Sequence, residues 1–143
     1  MKIRVDEHIS PRIVAEVKNK SLSPGWELTS IYDVDEGGVS DVHWVTSFRL
    51  SGGDAIISAD ADFHKKPPQI EAISRTGLKV ICLPGKFGQA KIDVQIDYIL
   101  TWWHSIESTL RKMGSGEYYK TFWKTKKPLN LKKMQIRIAE DIV

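Results

Sequence analysis

At 143 residues the chain has the size of one domain, long enough to bury a real core. Its formal net charge of +3 excludes little, but nine Lys/Arg side chains lie between Arg111 and Arg137, where Glu117 is the only acid. The single cysteine, Cys82, excludes an internal disulfide, and its apolar neighbours Val80, Ile81 and Leu83 predict a buried thiol. No apolar run reaches membrane-spanning length, and the first residues turn acidic at Asp6-Glu7 where a signal core would run, so the expectation is a cytoplasmic protein without a membrane partner.

The chain opens with a short apolar run, Lys2-Ile3-Arg4-Val5, that reads as a strand and ends in Asp6-Glu7. Ser10-Pro11 reads as a helix start, a capping hydroxyl followed by a residue preorganised for the first turn, and Ile13, Val14 and Val17 supply the apolar stripe up to about Lys20. Pro24-Gly25 makes a turn, and Trp26 to Tyr32 alternates like a strand. An acidic loop, Asp33 to Val39, leads to Ser40, a second cap. Asp41 then sits in the first helical turn and Trp44, three residues on, lies on nearly the same face.

Gly52-Gly53 stops that helix, and Ala55 to Ser58 reads as a buried strand entering Ala59-Asp60-Ala61-Asp62-Phe63. Pro67-Pro68 opens a third helix that Gly77 ends, and Leu78 to Leu83 forms another strand stopped by Pro84-Gly85. The order βαβαβαβ predicts an α/β fold with a mostly parallel sheet covered by helices.

The longest helix is expected over Lys91 to Met113, with Ile92, Ile96, Ile99, Trp103, Ile106, Leu110 and Met113 forming one stripe for the core. Trp102 falls off that stripe and is expected at the surface, as a partner anchor or an ordinary exposed aromatic. Glu117 to Lys126 and Leu129 to Ile138 read as two strands of a basic hairpin. Its lysines are either a solvated face or a surface for phosphates and bases, the latter because Tyr118, Tyr119, Phe122 and Trp123 are interleaved with them. Residues 1–90 are read as the core and 91–143 as an extension of the same domain.

Carboxylates recur at strand ends. In parallel sheets that edge is where ligands bind, and acids crowded there repel one another unless a hard divalent cation holds them. Asp6, Asp41, Asp60 and Asp62 are the candidate set, with Glu7 and Ser58 as supporting groups; the plain alternative is that each is a turn or cap residue. Thiols and imidazoles would select softer metals.

The combination of Asp6-Glu7-His8-Ile9-Ser10-Pro11, Asp41, and Ser58-Ala59-Asp60-Ala61-Asp62-Phe63 resembles the PIN-like nucleases, in particular toxins of the VapC type. The resemblance covers roughly residues 1 to 85. It implies a three-layer sandwich and a Mg²⁺- or Mn²⁺-dependent ribonuclease in which Asp6, Asp41, Asp60 and Asp62 ligate metal, directly or through water, and Ser58 orients the site. It further implies products with a 3′-hydroxyl and a 5′-phosphate, and as partners an RNA substrate, an antitoxin protein and a second copy in a homodimer. Such domains often have Glu as the middle acid, so Asp33, Asp35 and Glu36 are rivals to Asp41, and the long helix and basic hairpin are no part of the minimal pattern. Lys120, Lys124, Lys126 and Lys127 are the candidate RNA contacts.

His64, two residues past Asp62, is either a ligand or proton carrier or simply exposed; His8 and His43 adjoin proposed ligands, and His104 is expected on the helix surface. Two other classes remain. A phosphoacceptor signalling domain would need a Thr/Ser and a Lys at two later strand ends, for which only Lys86 is at hand; a non-catalytic nucleic-acid-binding module would bind without metal-dependent cleavage.

Overall fold

The computed structural model describes residues 1–34 and 40–136. The elements run β1 (Lys2–Val5), α1 (Pro11–Lys20), β2 (Glu27–Ser30), a 3-10 turn (Ile31–Val34), α2 (Asp41–Leu50), β3 (Ala55–Ser58), α3 (Pro67–Thr76), β4 (Lys79–Cys82), α4 (Gly85–Gln89), α5 (Ile92–Lys112), β5 (Tyr118–Lys120) and β6 (Lys132–Lys133). One sheet in the order β2-β1-β3-β4-β5-β6 contains them all, parallel except for the β5/β6 pair. The expected α/β class and mostly parallel sheet are therefore present.

The central strands β1, β3 and β4 are buried on both faces, which is why they read as apolar runs, whereas β2 alternates. Ile3, Val5, Ile57 and Ile81 point toward α1 and α5, whereas Ile56, Val80 and Cys82 point toward α2 and α3. Each fully buried Ile stabilises the fold by about 1.5–3 kcal/mol, so β3, buried at all four positions, is the spine of both core layers.

The helix punctuation follows the sequence. Ser10 accepts from the Arg12 amide at 3.1 Å and Ser40 from the His43 amide at 3.3 Å, capping α1 and α2. Gly77 closes α3 in the left-handed region at φ 74°, a conformation costly for a residue with a Cβ. Gly53 ends α2 differently: a Cβ there would lie 2.5 Å from the Phe48 ring, so only glycine lets the chain pass. Among the described residues, no helix is long and apolar enough to cross a membrane.

Three features depart from the sequence reading. Trp102 is 1% exposed, not a surface anchor, because the segment after β5 folds back over that side of α5 and sets Phe122 6.5 Å from its ring. The hairpin is much shorter than two ten-residue strands. Tyr98 Oη lies 2.6 Å from the Phe122 carbonyl oxygen and donates to it or to Thr121 Oγ1 at 2.7 Å, and Trp123 stacks on Tyr98. Those contacts draw the chain off the sheet beyond Thr121, whose amide still donates to the Cys82 carbonyl at 3.2 Å, and leave a short pairing of Tyr119 and Lys120 with Lys133 and Lys132. The third departure is α4, a five-residue helix between β4 and the long helix, where the sequence reading places no element. The far end of the second expected strand, Arg137 and Ile138, lies outside the described residues.

Candidate active site

The sheet order reverses direction between β1 and β3: the chain leaves β1 for β2 on one side and returns to β3 on the other. Ligands of parallel sheets bind in the crevice such a reversal opens beyond the strands' carboxyl ends. Parallel pairing of Val5 with Ile57, continued by the Asp6 amide donating to the Ile57 carbonyl at 3.1 Å, brings Asp6 and Ser58 together at this point.

Asp6 is 2% exposed and Ser58 fully buried. The Ser58 hydroxyl donates to Asp6 Oδ2 at 2.5 Å, while Asp6 Oδ1 accepts from the amides of His8 at 3.1 Å and Ala59 at 3.4 Å. None of these donors is a cationic side chain. Burial therefore dominates and raises the Asp6 pKa above the ordinary 3.8, although the Ser58 hydrogen bond, the charge of His8 and the two amides offset part of it. Burial thus favours the neutral acid, and a cation placed beside Asp6 would favour the carboxylate instead.

Asp60 stands beside this pair. Its amide donates to Ser58 Oγ at 3.1 Å, so one hydroxyl ties both acids together. Asp60 Oδ1 accepts from the Asp62 amide at 2.9 Å and Oδ2 from Lys66 Nζ at 3.0 Å. Partial burial pushes its pKa up, but the Asp62 amide and the Lys66 ammonium outweigh that and hold it below 3.8. Two neighbouring acids thus have opposite biases, one toward the proton and one toward the charge.

Asp41 is fixed separately, at the first turn of α2. Trp44 Nε1 donates to its Oδ1 at 2.9 Å, as their spacing on one helix face suggested, and Gln69 Nε2 donates to its Oδ2 at 3.0 Å from the start of α3. Lys66 connects the acids: the hydrogen bond to Asp60 raises its pKa, and the charges of Asp60, Asp41 and Asp62 raise it further, so three of the four candidates lie within its electrostatic reach.

Asp62 is exposed, 3.7 Å from Lys65 Nζ, and Glu7 is exposed as well. Asp33, one rival for the middle acid, accepts from the Ser30 amide at 2.8 Å and so caps the turn after β2. Asp35 and Glu36 lie outside the described residues. His64 is half-buried, with its pKa lowered first by burial and then by Lys65, whereas His8, His43 and His104 are exposed. The Cys82 thiol is buried near Asp6 and Asp60, and burial together with their charges pushes it up to about 12, far from any thiolate role.

A family model described as PIN like domain matches residues 1–85, from β1 into the start of α4 and across every acid just described. The chain belongs to the PIN-like family. Neither a curated protein nor a solved structure gives a match. PIN-like domains form a superfamily of nucleases that generally use divalent metals. In this PIN-like chain, no three Asp, Glu, His or Cys side chains are gathered as a ready metal cage among the described residues.

Mg²⁺ nevertheless keeps much of its water and is commonly held by one or two carboxylates plus substrate phosphate. Asp6 and Asp60, joined through Ser58, offer that minimal oxygen donor set. The donor chemistry fits a hard divalent ion.

Two residues of this site went unread in the sequence. Gln69 reaches Asp41 across 28 positions, a pairing that only the packing of α2 against α3 creates. Lys66 was hidden because a lysine after a turn usually serves as a solvated charge.

Proposed function

We propose that this PIN-like chain is a Mg²⁺- or Mn²⁺-dependent endoribonuclease that acts as the toxin of a toxin–antitoxin pair. The observation that carries the reading is the Asp6–Ser58–Asp60 unit at the β1/β3 crevice, where one hydroxyl donates to the buried Asp6 carboxylate and accepts from the backbone amide of Asp60. Asp6 and Asp60 would hold the ion, with Asp41 and Asp62 at the rim. When bound, the ion supplies positive charge that neutralises the carboxylates and offsets charge developing on the phosphate during hydrolysis.

The protein's own groups do the positioning. Ser58 holds the Asp6 carboxylate and the Asp60 backbone, the Asp62 amide and Lys66 orient the Asp60 carboxylate, and the Trp44 and Gln69 donors aim Asp41. Lys66, on Asp60, lends a second positive charge to the rim and favours approach of a phosphate. A water oxygen attacks phosphorus, and the bond to the 3′ oxygen breaks with a proton delivered to it. The products carry a 3′-hydroxyl and a 5′-phosphate.

The test is cleavage of end-labelled RNA by purified protein with Mn²⁺, with EDTA, and by Asp60→Asn. Cleavage that requires both the metal and Asp60 is expected. Equal cleavage by Asp60→Asn, or in EDTA, would overturn the assignment.

A further inference from the structure

Two recesses open side by side next to the acids. The first, of about 290 Å³, is lined by Asp60, His64 and Lys120; the second, of about 660 Å³, by Lys86, Lys124 and Lys126. Pro84, Gly85, Phe122 and Trp123 line both, so the two form one groove running from Asp60 across the ends of β4 and β5. Most of its basic and aromatic lining comes from residues after 85, beyond the stretch that matches the family.

Among the described lining residues the charge is one-sided: four lysines against Asp60, which stands at the reacting end. An anionic occupant follows. The aromatic groups narrow it further. Phe122 is 39% exposed, with Lys120 Nζ 5.6 Å from its ring centre. Trp123 lies on Tyr98 with ring centres 5.2 Å apart, and Tyr98 is also hydrogen-bonded to the Thr121 hydroxyl and the Phe122 carbonyl. Trp102, which lines the larger recess, has an indole N–H without a hydrogen-bond partner among the described residues. The groove therefore has an aromatic wall, held by α5, beside a row of lysines.

Lysines alone suit any polyanion. Aromatic faces within the groove suit a strand whose bases are unstacked from each other, since a duplex keeps its bases inside. We propose that this groove is the path of single-stranded RNA next to the cut, its phosphates on Lys120, Lys124 and Lys126 and its bases against Phe122 and Trp123. The assignment rests on the nuclease reading for its substrate, and it makes the enzyme selective for loops and unpaired segments.

The test measures binding of a fluorescein-labelled RNA to full-length Asp60→Asn, alone and with Phe122→Ala or Lys124→Ala/Lys126→Ala added, and cleavage by the same variants with Asp60 intact. All three altered side chains are exposed, and circular dichroism checks the fold. Phe122→Ala is expected to weaken binding roughly tenfold, the effect of one lost base stack. The double lysine variant should lower the slope of log affinity against log salt by about 1.4, since each phosphate contact on a single strand contributes roughly 0.7. KM should rise with kcat little changed, and annealing the complement should weaken binding to what the lysines alone supply and abolish cleavage.

Wild-type KM and salt slope in every groove variant, or equal use of the duplex, would overturn the proposal and leave the surface to a protein partner. Single-strand binding that the variants weaken, in a wild-type chain that cleaves no RNA, would sustain the groove while refuting the nuclease reading.

Discussion

Replacing Ser58 by Ala removes one oxygen and separates the two acids it joins. The hydroxyl is buried, donates to the Asp6 carboxylate at 2.5 Å and accepts from the Asp60 amide at 3.1 Å. A hydrogen bond to a charged group contributes about 1.5–3 kcal/mol and the amide left without its acceptor costs about 1 kcal/mol, so the loss at neutral pH should be about 3 kcal/mol. That is a large share of a typical domain's stability of about 5–15 kcal/mol, yet compatible with folding.

The pH dependence has a definite sign. Asp6 already has a folded pKa above 3.8, and losing the hydroxyl raises it further. Because the native state then takes up a proton more readily than the unfolded chain, Asp6's contribution is most favourable below 3.8 and is lost as pH rises through its folded pKa. The deficit of Ser58→Ala relative to wild type should therefore be largest at neutral pH and shrink as mild acid protonates Asp6. Urea denaturation of both proteins without metal, at neutral and mildly acidic pH, measures it. A neutral-pH loss below about 1 kcal/mol, or an equal loss at both pH values, would refute the view that Ser58 serves the charged form of Asp6.

Two further predictions concern the helix that supports the groove. Glu107 is 3% exposed and accepts from the Ser23 amide at 2.9 Å, the Ser23 hydroxyl at 2.5 Å and Trp103 Nε1 at 2.8 Å. Glu107→Gln keeps the shape but loses the charge, and should cost about 1–2 kcal/mol by urea denaturation; a change within the roughly 0.5 kcal/mol of a surface substitution would contradict this. Tyr98→Phe removes the tie to Thr121 and Phe122, so it should cost about 1 kcal/mol and raise KM for RNA with little effect on kcat. Unchanged KM would show that the aromatic wall does not depend on α5.

Where local pattern and tertiary packing agreed, the fold was legible. The caps Ser10 and Ser40 and the stops at Gly53 and Gly77 are decided within one turn of chain, so the βα order could be read directly. The stripe of α5 predicted Ile99, Trp103, Ile106 and Leu110 in the core for the same reason, and Cys82 is buried as its apolar run required.

Trp102 and the hairpin depart from the sequence reading because their environment is set by a contact between distant segments, Tyr98 with Thr121 and Phe122, which no periodicity encodes. At the site, the pattern located Asp6, Ser58 and Asp60 because strand ends in a parallel sheet converge. The Ser58 hydroxyl that joins the two acids and the Gln69 donor that aims Asp41 depend on contacts between distant segments.

The central claim is that Asp6 and Asp60 together bind a divalent cation. Calorimetric titration of Mn²⁺ into wild type and into Asp60→Asn, with unfolding curves to show that both are folded, tests it without needing a substrate. Saturable binding by wild type that Asp60→Asn loses is the predicted result. Equal Mn²⁺ affinity in the two proteins, or no saturable binding in wild type, would contradict it.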